Sequence, residues 1–85
     1  MMFLHVTNVT VGEAYRIRLC FSDGVVKDVD LADELYGAIF EPLQDLALFR
    51  QVRLNPETNT IEWPNGADFA PERLYEIGTE VKRVA

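Results

Sequence analysis

Hydrophobic and polar positions alternate most clearly in "YRIRLCFSDGVVKDVDL", residues 15–31. Tyr15, Ile17, Leu19 and Phe21 share one parity, and Arg16, Arg18, Cys20 and Ser22 the other, which is the period of a strand with one buried face. Two hairpin registers are open to it. A two-residue Asp-Gly turn pairs Leu19 with Asp28 and Ile17 with Asp30, and buries two carboxylates. A three-residue loop of Ser22, Asp23 and Gly24 pairs Phe21 with Val25 and Ile17 with Val29, and sets Arg18 opposite Asp28 and Arg16 opposite Asp30. A one-residue slip turns every side chain over, so the cost of burying unpaired charge selects the second register. Gly24 then takes the left-handed position of the loop.

The preceding stretch, "LHVTNVTV", breaks parity: Leu4 and Val6 fall on one face, Val9 and Val11 on the other. Pairing Val11 with Tyr15 and Val9 with Ile17 across Gly12-Glu13-Ala14 leaves one residue over, which predicts a bulge at Thr7-Asn8 opposite Arg18. That register also places His5 opposite Cys20. Beyond the third strand, Asp30 is positioned to cap a short helix over 31–36 that ends at Gly37, and Pro42 to start a second through "PLQDLALFR". Leu43, Leu46, Ala47 and Arg50 would form the stripe of that second helix, with Phe49 beside it. "VRLNPETNTIEW" reads as a hairpin, Leu54 facing Ile61 and Val52 facing Trp63 across Pro56-Glu57-Thr58-Asn59. Pro71 opens a last helix through Ile77. The fold class expected is α+β: a three-stranded antiparallel meander, two short helices, a β-hairpin and a C-terminal helix, with the helices on one sheet face.

Eighty-five residues bound this to a single domain, 1–85, which buries only about 60% of its unfolded surface. Net charge is −6, from 14 acidic and 8 basic residues that are scattered along the chain. An acidic domain without a basic cluster is repelled by a phosphate backbone, so direct nucleic-acid binding is not expected. No apolar run spans a bilayer and the start lacks a secretory pattern, which predicts a cytoplasmic protein without membrane contact. One cysteine excludes an internal disulfide, and one His with one Cys excludes a structural zinc site within the chain.

Phe21, Asp23 and Gly24, then Asp30-Leu31, Pro42-Leu43 and Phe49, and finally Trp63, Asn65, Gly66, Asp68, Pro71, Leu74 and Tyr75 carry a resemblance. Over about residues 4–78 the chain resembles short bacterial proteins grouped only as a domain of unknown function. That resemblance implies a small α+β domain, sometimes joined to a helix-turn-helix module. It also implies a neighbouring small protein in a toxin–antitoxin-like gene pair, and it supplies no catalytic residue.

Little else in the chain points to chemistry. "WPNGADFAPERLY" reads as a turn and helix start: Pro64 fixes φ, Asn65 or Gly66 takes the left-handed position, and Asp68 is placed to accept from nearby amides. A phosphate cradle would need more glycines and more than the lone Arg73. His5 opposite Cys20 would be the minimal nucleophile-and-base pair, but an open sheet face offers no oxyanion donors and no third group to orient the imidazole. Asp23, Asp28, Asp30, Asp33 and Glu34 lack a calcium-loop spacing. Neither a cofactor nor a metal is expected, and the chain is expected not to be an enzyme.

Two functional classes follow. One is an interaction or regulatory module that binds a protein partner or itself, with Arg53, Glu62, Asn65, Asp68 and Arg73 as the candidate surface and the second hairpin as its edge. The other is a small-ligand sensor domain with Trp63 in the wall of a pocket. An apolar cleft of about 300 Å³ or more distinguishes the sensor from the module.

Overall fold

The computed structural model describes residues 3–81. Strands β1 (Val6–Val11), β2 (Arg16–Phe21) and β3 (Val26–Asp30) form the antiparallel meander. The β2–β3 register is the one that charge burial selects: Ile17 faces Val29, Arg18 faces Asp28 and Arg16 faces Asp30. Phe21 donates its amide to the Val25 carbonyl, Gly24 sits at φ +86°, and the Asp23 carboxylate accepts from the Val25 amide.

The β1–β2 register differs from the expected one by two residues. Val11 pairs with Ile17 and Val9 with Leu19, so five residues, Gly12 to Arg16, separate the paired positions across the loop rather than three. Gly12 donates to the Arg16 carbonyl and Ala14 adopts φ +50° to close it. A shift of two preserves every side chain's face, so hydrophobic parity cannot exclude it. The longer loop also frees Tyr15 to set its ring edge-on to Phe49, with centroids 5.3 Å apart. The bulge lies at Thr7, as parity demands, but opposite Cys20 and Phe21 instead of Arg18.

The stretch from Leu31 to Arg50 is less helical than its pattern suggests. Asp30 accepts from the Ala32 amide, but the helix it starts is one 3₁₀ turn over Ala32–Glu34. The expected Pro42–Arg50 helix is broken at Asp45, whose backbone is extended and whose carboxylate accepts from the Ala47 amide. That local bond competes with helix continuation. It leaves a 3₁₀ turn over Glu41–Gln44 and the single turn α1 (Leu46–Phe49). Leu43 and Phe49 are buried, whereas Leu46 and Ala47, expected on the inner stripe, are exposed.

Strands β4 (Arg53–Asn55) and β5 (Thr60–Glu62) form the second hairpin in the expected register, with Leu54 opposite Ile61 and Asn59 at φ +60°. The hairpin does not join an edge of the meander. It is a separate two-stranded sheet, linked to β1 through the Val6 amide and the Asn59 carbonyl. Helix α2 (Pro71–Ile77) leads into a short strand that the pattern did not reveal, β6 (Thr79–Glu80), which pairs with β3. Gly78 makes this return possible: a Cβ there would lie 3.0 Å from Lys27 Cβ and from Val29 Cγ2.

The core lies between the inner face of the meander and the segments that cross it. Ile17, Leu19, Phe21, Val29 and Leu31 meet Leu35, Leu43, Phe49, Ile61, Trp63 and Leu74, all buried. At Trp63, the most voluminous of these, the indole N–H donates to the Phe49 carbonyl at 2.8 Å. No helix among the described residues is long and apolar enough to cross a membrane.

Candidate interaction surface

Five residues were singled out by sequence as a candidate surface, and the fold gives each a definite place. Arg53 and Glu62 face each other across the second hairpin, 3.0 Å apart, and the same Glu62 oxygen accepts from Asn55. Glu62 is bridged to Asp68 through the backbone, which closes the turn over residues 63–67. Within that turn Trp63 and Ala67 are bonded, Gly66 takes φ +90°, and the Asn65 carboxamide accepts from the Ala67 amide. Asp68 was placed to accept from nearby amides, but it is exposed and among the described residues no amide donates to its carboxylate; the cap of the last helix, Ala70, has no side-chain bond either. Arg73 reaches Glu34 at 2.8 Å and Glu76 at 3.7 Å. The hydrogen bond to Glu34 pushes the Arg73 guanidinium pKa above its ordinary value.

The Asn65 carboxamide also donates to the Ile39 carbonyl at 2.9 Å, and the Phe40 and Phe69 rings lie 4.8 Å apart. The 63–69 turn and the 36–40 loop are therefore one surface, with Arg73 and Glu34 at its border. On this surface Tyr36 is 69% exposed and Ile39 47%. Neither was picked out by sequence. Their signal was "YGAIF", an apolar run that fits neither the strand nor the helix period, and such a run is either loop core or exposed contact surface.

His5 and Cys20 are not cross-strand partners. The two-residue shift puts His5 beside Ser22, whose hydroxyl accepts from the His5 amide, and Asn8 opposite Cys20. Among the described residues no group of three or more His, Cys, Asp or Glu side chains is placed to hold a metal ion.

A second titratable cluster joins α2 to the β2–β3 hairpin. The register sets Lys27 opposite Leu19, on the apolar face. Its ammonium donates to the Tyr75 carbonyl at 2.6 Å and lies 3.8 Å from the centre of the Tyr75 ring. The Tyr75 hydroxyl donates to Asp23 at 2.8 Å. That hydrogen bond raises the Tyr75 pKa, while the Val25 amide and then Tyr75 lower that of Asp23. Both groups move away from neutrality, whereas acid–base catalysis needs values near the working pH. The lysine could have been found in the sequence, since the pairing that faces Ile17 with Val29 also turns Lys27 inward.

Three open grooves lie on the described residues, and Trp63 lines none of these three. One of about 310 Å³ crosses the β1–β2 end of the meander between Glu13, Arg16, Arg18 and Asp28. Another of the same volume lies beside Arg53, Asn55 and Glu62. Both meet the volume expected of a ligand site; Val11, Gly12 and Ile17 join the charged side chains in the wall of the first, the second is mainly polar, and neither adjoins the indole.

In comparisons with known proteins, the model of a family described as "Protein of unknown function (DUF2442)" matches residues 6–80. Neither a curated protein nor a solved structure matches the chain.

Proposed function

The chain belongs to the DUF2442 family, and we propose that it is a non-enzymatic interaction module whose docking surface is the 36–40 loop together with the 63–69 turn. The observation that carries this reading is the exposure of Tyr36 and Ile39 on a loop held by Asn65 and by the Phe40–Phe69 contact. Aromatic and aliphatic side chains on a fixed loop give up little entropy on binding and act as anchors. A regulatory, antitoxin-like role beside a small neighbouring protein is the specific form proposed, in agreement with the resemblance of the sequence.

Co-expression with the product of the adjacent reading frame, followed by cross-linking and size-exclusion chromatography, tests it. Wild type should form a complex that the double variant Tyr36→Ser/Ile39→Ser loses while its melting temperature stays unchanged. A complex retained in full by that folded variant would exclude this surface.

A further inference from the structure

The partner's chemistry can be read from the charges around this surface, an inference that rests on the interaction reading above. The two loops come from stretches of one charge sign. Between Asp28 and Phe49 the chain has six acidic and no basic side chains, and between Leu54 and Glu72 four acidic and none basic. Some of these carboxylates are occupied: Asp30 by Arg16, Glu34 by Arg73, Asp45 by the Ala47 amide and Glu62 by Arg53. Asp33, Glu41, Asp68 and Glu72 are exposed, and among the described residues no ion pair or side-chain hydrogen bond holds them. Arg73, at the border, is already shared between Glu34 and Glu76.

We infer that this surface takes a cationic amphipathic segment of a partner protein, with apolar side chains seated on Tyr36 and Ile39 and Lys or Arg side chains answering the free carboxylates. An apolar contact supplies affinity whatever the partner's charge. Asp33, Glu41, Asp68 and Glu72, which lie in or flank these two loops along the chain and are unpaired among the described residues, favour a basic segment and repel an acidic one, so they set which partner is accepted. A second copy of this chain fits poorly, because each copy carries −6 and would meet the same acidic surface.

The experiment uses the full chain and two labelled helical peptides of one pattern, one of Lys and Leu and one of Glu and Leu, followed by fluorescence anisotropy. The Lys/Leu peptide should bind and weaken steeply with salt, and the Glu/Leu peptide should not bind. Tyr36→Ser/Ile39→Ser should weaken binding of the Lys/Leu peptide about tenfold or more. Asp68→Lys should weaken it several-fold and flatten the salt dependence. Glu57→Lys, the same charge change in the β4–β5 turn, should stay within about twofold. Equal binding of both peptides, or equal loss for Glu57→Lys and Asp68→Lys, overturns the inference. If the native complex depends on Tyr36 and Ile39 but is indifferent to salt and to Asp68→Lys, the cationic partner is excluded and the interaction module stands. If it depends on neither Tyr36 nor Ile39, both fall.

Discussion

The outer face of the meander and the surface around the 36–40 loop handle charge in opposite ways. On the meander, Arg18 meets Asp28 through two hydrogen bonds of 2.7 and 3.0 Å, and Arg16 meets Asp30 at 3.5 Å. On the other face Ile17, Leu19, Phe21 and Val29 are buried in the core. Around the loop, Tyr36 and Ile39 are exposed, and Asp33, Glu41 and Asp68 of the same segments have no ion-pair partner among the described residues. Exposed, well-solvated ion pairs contribute little to stability and leave little charge for a ligand. An exposed apolar pair within an unbalanced field retains its capacity to bind. The charged residues that look most notable in the sequence thus belong to the quieter region.

Substitutions beneath the loop surface should break the molecule, and those on it should not. The largest effect is expected at Trp63, which is 1% exposed, packs near Phe49 and Phe69, and donates to the Phe49 carbonyl. Trp63→Ala should cost about 3–5 kcal/mol in urea unfolding, close to the whole stability of a domain this small. A well-folded Trp63→Ala protein that had lost only partner binding would move the indole from the core to the docking surface. The next effect is at Gly78, where α2 turns back onto β3. An alanine Cβ would press on Lys27, Val29 and the Leu74 carbonyl at 3.0 Å, so Gly78→Ala should cost about 1–3 kcal/mol, measurable in the same denaturation. No change there would mean that β6 separates easily from β3.

The same contrast explains what could be read from the chain. The β2–β3 register was legible because a slip of one would bury Asp28 and Asp30. The second hairpin was legible from Leu54, Ile61 and the Pro56–Asn59 turn. The β1–β2 register was not, because a shift of two keeps Val9 and Val11 on the inner face. In the crossing segment, Leu43 and Leu46 are three apart and mimic a helical stripe, but the Asp45 side chain diverts the backbone between them. The docking surface stayed hidden for a related reason. Tyr36 and Ile39 acquire meaning only through Asn65, 26 residues away from Ile39 in the chain, and no local period encodes that contact.

A smaller effect is expected in the pH dependence of stability. The Asp23 pKa lies below its unfolded value, through the Val25 amide first and the Tyr75 hydroxyl second. Its contribution is complete above the unfolded value of about 4 and is lost as pH falls through the lower, folded one. The Tyr75 pKa lies above its unfolded value, so its contribution holds below about pH 10 and is lost as pH rises through the folded one. Tyr75→Phe keeps the ring on Phe21 and Lys27 and removes only the shared hydroxyl. Thermal melts of that variant should fall less steeply than wild type on both the acid and the alkaline side. Identical profiles would mean that the Asp23–Tyr75 bond is absent in solution.

The smallest effect should come from the most conspicuous ion pair. Arg18 and Asp28 make the best-formed charge contact on the meander, and the hydrogen bond between them raises the Arg18 pKa and lowers that of Asp28. Both side chains are about half exposed, so water already satisfies most of what each gives the other. The Ile17–Val29 pair and the Phe21–Val25 turn bond fix the register without them. Arg18→Gln should therefore leave the melting temperature within experimental scatter at ordinary salt, and leave binding of a cationic peptide unchanged, because the lost charge lies away from the 36–40 loop. Tyr36→Ser/Ile39→Ser should share the first result and not the second. If Arg18→Gln instead weakened peptide binding as much as the loop variant, the paired face would take part in recognition, and the division between the two surfaces would fail.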